Sequence, residues 1–201
     1  IYVLPALIFT LIAQAAVQSA YRSASAMRCR SGLSGAGAAE RVLRAAGVSG
    51  VRIEPVSGKL SDHFDPKGNV IRLSEGVFSA PTIAACGIAA HECGHAVQYA
   101  KGYAPLRLRN AIIPVSQFGS AAAIPLILLG FLFQFQALVT AGILFFAAAV
   151  LFQLITLPVE FNASRRAMAL LEGAGVLAPE ELPAARRVLR AAAMTYVAAL
   201  A

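Results

Sequence analysis

Two of the chain's three histidines, His91 and His95, stand four residues apart with Glu92 between them. On a helix, at about 100° per residue, the two imidazoles lie about 40° apart and Glu92 about 100° from the first. All three can then address one point beside the helix while Cys93 points away. Two imidazoles so placed suit a zinc ion with a coordination position left open. Zinc lowers the pKa of a water molecule to about 7 and polarises a carbonyl, and a neighbouring carboxylate can take that water's proton and return it to a leaving amine. The chemistry expected is hydrolysis of a peptide bond, with Glu92 as general base and then general acid and a single Zn2+ per chain.

Two histidines do not complete a hydrolytic zinc site, which normally has a third protein ligand. Glu160 is the most suggestive candidate. It follows an apolar stretch in Leu157-Pro158-Val159-Glu160-Phe161-Asn162-Ala163-Ser164-Arg165-Arg166, where an ionised carboxylate is costly unless something compensates it. A metal ion would do so; an ion pair with Arg165 or Arg166 is the competing account. Glu172, at a glycine-flanked helix end, is the weaker candidate ligand. The remaining histidine, His63, falls in a turn-rich segment. It reads either as a proton donor or oxyanion stabiliser, or more simply as a turn residue hydrogen-bonded to Asp62 or Asp65.

The elements that must hold these groups belong to a membrane protein. The 201 residues are 58% hydrophobic and 13% charged, with a mean hydropathy of +0.69, too apolar for an ordinary water-soluble domain of this length. Residues 3 to 19 are uncharged and then meet Arg22. Because the positive charge follows the apolar run, a first membrane span over 1–21 is expected rather than a cleaved signal. Two further apolar stretches, Ala111 to Phe133 and Ala137 to Leu157, are each long enough for a bilayer core of about 30 Å and form an expected hairpin over 109–158. The formal charge of +7 does not form a basic tract interleaved with aromatics, so nucleic acid is not an expected partner. Arg22, Arg28, Arg30, Arg107, Arg109, Arg165 and Arg166 instead mark the ends of the apolar stretches, as cytoplasmic ends are marked.

Between the spans, 22–108 reads as an extramembrane region. Ser34 caps a helix from Gly35 to about Ala46, with Gly47 as its stop. Val51 to Glu54, Leu60 to Phe64 and Val70 to Leu73 read as three short strands. Pro81 opens the helix that carries the histidines, from Thr82 to about Tyr99. After Pro158 a helix over 159–178 carries Glu160, and 179–201 begins a last helix, expected to start a further membrane segment. Cys29, Cys86 and Cys93 are odd in number and include no C-x-x-C pair, so they read as buried packing residues of a protein in a reducing compartment.

His91 to His95 followed by Ala96-Val97-Gln98, then Gly102-Tyr103-Ala104-Pro105-Leu106-Arg107, with Asp62-His63-Phe64-Asp65-Pro66 before and Glu160-Phe161-Asn162-Ala163-Ser164 after, resemble the bacterial YugP-like neutral zinc metallopeptidases of the membrane. The resemblance runs over nearly the whole chain. It implies an α+β membrane protein with a zincin-like catalytic domain, a small sheet plus the histidine helix, and three to four transmembrane helices. It also implies Glu160 as third ligand, as in glutamate-zincins, and a more distant likeness to HtpX-type quality-control proteases. There the chain departs: an aspartate that supports a zinc histidine four residues after the ligand glutamate is replaced here by Ser164. Ser164, Asn162 or the backbone would have to support the histidines instead. Zincin architecture further suggests that Val70 to Leu73 is an edge strand able to hold an extended substrate by main-chain hydrogen bonds.

The function expected is a membrane-bound zinc metalloendopeptidase of the bacterial inner membrane, multi-pass, with its active site toward the cytoplasm. It would act on protein or peptide substrates, in contact with the lipid bilayer, alone or as a homo-oligomer or part of a larger membrane assembly. Two alternatives belong to other classes. A site-2-type intramembrane protease would need the histidine helix to span the bilayer, yet only nine residues separate Pro81 from His91. A non-catalytic zinc-binding scaffold would need a closed, four-ligand site.

Overall fold

Ser34 and Thr82 each open a helix by capping it. In the computed structural model, which describes residues 3–200, the Ser34 hydroxyl accepts from the Gly37 N–H at 3.2 Å and the Thr82 hydroxyl from the Ala85 N–H at 3.3 Å. These bonds satisfy donors that a first helical turn leaves without partners. The elements in chain order are α1 (Val3–Ser25), α2 (Gly35–Ala45), β1 (Arg52–Val56), β2 (His63–Asp65), β3 (Val70–Ser74), α3 (Glu75–Phe78), α4 (Ile83–Ala100), α5 (Ala104–Leu132), α6 (Gln136–Gly173) and α7 (Leu182–Ala198). Two units are formed, one from the residues up to Tyr103 with Glu160–Ala199, the other from Ala104–Val159 with Leu200.

In the first unit the three strands form one sheet in the order β1-β3-β2. β3 runs parallel to β1, with Ile53 opposite Ile71, and antiparallel to β2, with Phe64 opposite Ile71. It is therefore the central strand, which corrects the expectation that Val70 to Leu73 forms an edge. Burial explains the difference: Val70, Ile71, Leu73 and Ser74 are all buried, so side chains on both faces are covered, as befits a strand flanked on either side. The edge nearer α4 is β2. It is shorter than the run Leu60 to Phe64 suggests, because Leu60 is exposed and adopts a φ of 57°, a turn conformation that ends any strand.

The core of this unit gathers Val42 and Leu43 of α2, Ile71 and Leu73 of β3, and Cys86, Ala89, Ala90 and Cys93 of α4. It also takes in Ala167 and Leu171 of α6 and Ala185 and Leu189 of α7. α4 is thus enclosed along almost its whole length, which fixes the orientation of anything it carries. Cys29 and Cys86 are buried, as expected of packing residues, and their sulfurs lie 3.7 Å apart. Their separation of 57 positions in the chain gave no sign of that contact.

Among the described residues, α1 over Leu4–Ser25 and α6 are long and apolar enough to cross a membrane. α5 adds a third span if its parts Ala104–Pro114 and Ser116–Leu132, bent by 44°, count as one. Pro114 explains the bend, since its ring removes a helical N–H and crowds the preceding turn. In the second unit α5 and α6 approach closely: a Cβ on Gly142 would lie 2.7 Å from the Ala123 carbonyl oxygen, the use of small residues familiar in membrane helix pairs.

One expectation on helix boundaries is corrected. α6 does not break at Pro158 but continues as one helix of 38 residues. A proline forfeits one helical hydrogen bond, and within an apolar helix the rest of the ladder remains the cheapest way to satisfy the backbone. Among the described residues, α7 is 17 residues long and is not among the helices that meet the length and apolarity of a span. It packs against α1 and α4 and buries Ala185, Val188 and Leu189 while Arg186, Arg187 and Arg190 stay exposed.

Leu73→Ala, which empties a fully buried position of the central strand, should cost about 2–5 kcal/mol and lower the thermal midpoint in detergent. Leu60→Ala, at an exposed site, should leave that midpoint unchanged.

Candidate metal centre

α4 presents His91, Glu92 and His95 toward Glu160 of α6. The Oε2 atom of Glu160 lies 3.2 Å from His91 Nε2 and 3.7 Å from His95 Nε2. The imidazole rings stand nearly perpendicular, at 86°, with centroids 4.8 Å apart. Ligand atoms from His91, His95 and Glu160 all fall within 4.8 Å of one another. A tetrahedral zinc with bonds of about 2.1 Å spaces its ligand atoms about 3.4 Å apart, so this donor set fits such an ion. Glu160 is 4% exposed, and a carboxylate so removed from water needs a positive partner to be tolerable.

The approach of the two helices depends on Gly94, inside the histidine motif. A Cβ there would lie 2.5 Å from the carbonyl oxygen of Ala163 and 3.2 Å from its Cα. Those are backbone atoms that no side-chain movement can clear. A residue larger than glycine would push apart the very helices that bring His91 and His95 to Glu160.

Each imidazole is oriented through its second nitrogen. His91 Nδ1 lies 3.2 Å from the Ser164 hydroxyl, and His95 Nδ1 lies 3.0 Å from Oε1 of Gln98. An amide oxygen can only accept, so His95 carries its proton on Nδ1 and keeps the Nε2 lone pair for the cluster. Gln98 is held in turn, its Nε2 donating to Asn162 Oδ1 at 3.0 Å, and the same oxygen accepts from Arg166 Nε at 2.7 Å. Ser164 therefore touches a histidine directly, while Asn162 acts one step back. Gln98 was not among the sequence candidates. Its signal was present in hindsight, since a glutamine three residues after a candidate ligand lies on the same helical face, and here it is wholly buried.

Glu92 is buried at 8% exposure. Burial pushes its carboxyl up to about 7, with the charges of Glu160 and Asp62 adding to the rise and His91 and a hydrogen bond from the Phe64 backbone opposing it. His63 is exposed, and its Nδ1 lies 2.7 Å from the Ser61 carbonyl oxygen. The carboxylates considered as its partners are engaged elsewhere: Asp62 accepts from the Ser74 N–H and hydroxyl, and Asp65 from the Lys67 N–H and Arg72. Glu172 is exposed twelve residues further along α6 and does not join the cluster. A cavity of about 490 Å³ opens on the site, lined there by His91, Glu92, Glu160 and Ser164; His63 does not line it.

Helices apolar enough for a membrane and a two-histidine, one-glutamate cluster able to hold a metal together define a membrane protein with a candidate metal centre. The sequence matches, over residues 1–201, the family described as "Putative neutral zinc metallopeptidase". It is 46% identical over 187 residues to "Putative membrane protease YugP" of Bacillus subtilis (strain 168), a match covering 93% of this chain and 83% of that protein. The chain belongs to this neutral zinc metallopeptidase family. No solved structure matches it.

Removing the group that orients His95, as Gln98→Ala, should weaken zinc binding about 10- to 100-fold, measured by competition with a chromophoric chelator. Gly94→Ala should weaken it further while also lowering the thermal midpoint.

Proposed function

We propose that this protein is a membrane-bound zinc metalloendopeptidase of the glutamate-zincin type, cutting membrane or unfolded proteins on the cytoplasmic side of a bacterial inner membrane. The observation that carries this reading is the convergence of His91, His95 and Glu160 on one point, with the carboxylate of Glu92 on the same helix and a cavity open beside them. Family membership supports zinc as the metal, and two imidazoles with one carboxylate are a donor set that zinc favours. The arginines at the ends of the apolar stretches support the cytoplasmic orientation.

In this reading His91, His95 and Glu160 would hold the zinc, which would supply a Lewis acid able to acidify water and polarise the scissile carbonyl. Glu92 accepts a proton from the attacking water as its oxygen bonds to the carbonyl carbon. It then delivers that proton to the amide nitrogen as the C–N bond breaks, leaving a carboxylic acid and an amine. Ser164 and Gln98 keep the two imidazoles turned so that Nε2 of each faces Glu160. β2, the edge strand beside α4, takes over the substrate-holding role first expected of Val70 to Leu73, with main-chain groups available for an extended peptide.

The two alternatives are less well supported. α4 packs against α2, α7 and the sheet and is not among the helices able to span a membrane, which disfavours an intramembrane protease. Among the described residues the cluster offers three ligands, fewer than the four that a structural zinc site uses.

Metal content and cleavage of casein and membrane-protein substrates test the reading. The native chain should carry about one zinc, as such sites do, and cleave. Glu92→Gln should keep the metal and lose activity by a factor of at least about 100, and Glu160→Ala should lose both. Retention of full activity by Glu92→Gln would sink the mechanism, and retention of full metal by Glu160→Ala would show the third ligand to be another residue.

A further inference from the structure

α1 and α7 pack together in opposite directions, and three features fix how they line up. Arg30, just past the end of α1, meets Glu180 and Glu181, just ahead of α7. Ala24 and Val188 share one packed cluster, and Gln14 and Gln18 line the same cavity as Thr195 and Tyr196. Two residues on from Ala24 and Val188 in these opposite directions, Arg22 in the last turn of α1 comes level with Arg190. Beyond that level neither helix carries a charge: residues 3–21 of α1 and 191–198 of α7 are all uncharged. Two antiparallel helices thus pass from charged to uncharged sequence at one height, the height at which the apolar run of α1 would leave a bilayer.

On the charged side of that level α7 shows a basic face. Arg186, Arg187 and Arg190 are exposed and enter none of the ion pairs among the described residues. At 100° per residue they fall, with Met194 and Val197, within an arc of about 100°. Met194 is 40% exposed and Val197 half-buried, so one face of the helix reads as three cations followed by apolar surface. We infer that this face of α7 binds an anionic phospholipid, with its phosphate held by Arg186, Arg187 and Arg190 and an acyl chain lying over Met194 and Val197. The site is separate from the metal cluster and stands independently of the peptidase reading.

Order along the face identifies the occupant. Guanidinium groups donate paired hydrogen bonds to phosphate oxygens, which a free phosphate or an acidic protein segment could also accept. Neither has a use for the apolar continuation. A phospholipid has both parts in the order the helix presents them, a charged head at the level of Arg190 and a chain running toward the uncharged part of α1. The carboxylates nearest the face are turned away from it: Glu180 pairs with Arg30, and Glu181 accepts from the N–H groups of Arg30 and Ala178. No acid from the start of α7 therefore competes for the three arginines. Each cationic side chain near an anionic lipid surface adds roughly fivefold to affinity.

The test uses the full chain in a non-ionic detergent, with bound lipids counted by native mass spectrometry as phosphatidylglycerol or phosphatidylcholine of the same acyl chains is added. Phosphatidylglycerol should bind at least about tenfold more tightly. Replacing the three arginines together, as Arg186→Gln, Arg187→Gln and Arg190→Gln, should remove that preference. Arg41→Gln with Arg44→Gln, at exposed positions of α2, should leave it intact. Met194→Asp, which sets a charge against the acyl chain, should weaken phosphatidylglycerol binding, and glycerol phosphate, which has no chain, should not compete. Equal binding of the two lipids, an unaltered preference in the triple variant, or an equal loss in the α2 variant overturns the site. Competition by glycerol phosphate as strong as by the lipid would reveal a free-phosphate site, and a two-chain mass lost in the triple variant would reveal a contact between copies. Either result also overturns the inference.

Discussion

A carboxylate taken out of water must find compensation close at hand, and Glu160 meets two imidazoles. That single requirement ties α6 to α4. The carboxylate is nearly inaccessible, its oxygen lies 3.2 and 3.7 Å from the two histidine nitrogens, and the contact is possible because Gly94 lets the Ala163 backbone come within reach of α4. The same feature that makes the cluster a candidate metal site is therefore a constraint on helix packing. A metal at this point would relieve the cost of burying the carboxylate and turn a liability of the fold into its reason.

Around that contact the polar groups form a chain rather than a scatter. Arg166 and Gln98 meet on Asn162, Gln98 holds His95, and Ser164 holds His91. Three of these groups lie on α6 within two turns of Glu160, so the helix that supplies the carboxylate also supplies the restraints on the imidazoles. Buried polar groups arranged in this way are costly when incomplete and restrictive when complete. Ser164 gives His91 a neutral partner, and His95 receives a buried amide.

The remainder of the first unit serves to hold α4 still. β3 lies at the centre of the sheet with buried residues on both faces, α2 and α7 close over α4, and α1 packs against α7. α1 and α6, the helices most suited to a membrane, both contribute residues to the cavity beside the cluster.

The sequence by itself determined what local chemistry dictates. Ser34, Thr82 and Gly47 marked helix ends because caps and left-handed stops are settled within one turn. His91, Glu92 and His95 were legible as a group because helical periodicity alone places them together. The membrane class followed from composition, since apolar stretches of that length have few other uses. Glu160 was suggested by its cost in an apolar setting, but its distance from the histidines rested on packing. Tertiary structure alone decided the rest. It made β3 central, because strand order depends on which faces find cover. It carried α6 through Pro158, because a helix with one missing hydrogen bond is cheaper than exposed backbone in an apolar setting. It recruited Gln98 to His95, and it folded α7 onto α1 and α4, because a helix's partner surface is not written in its own residues.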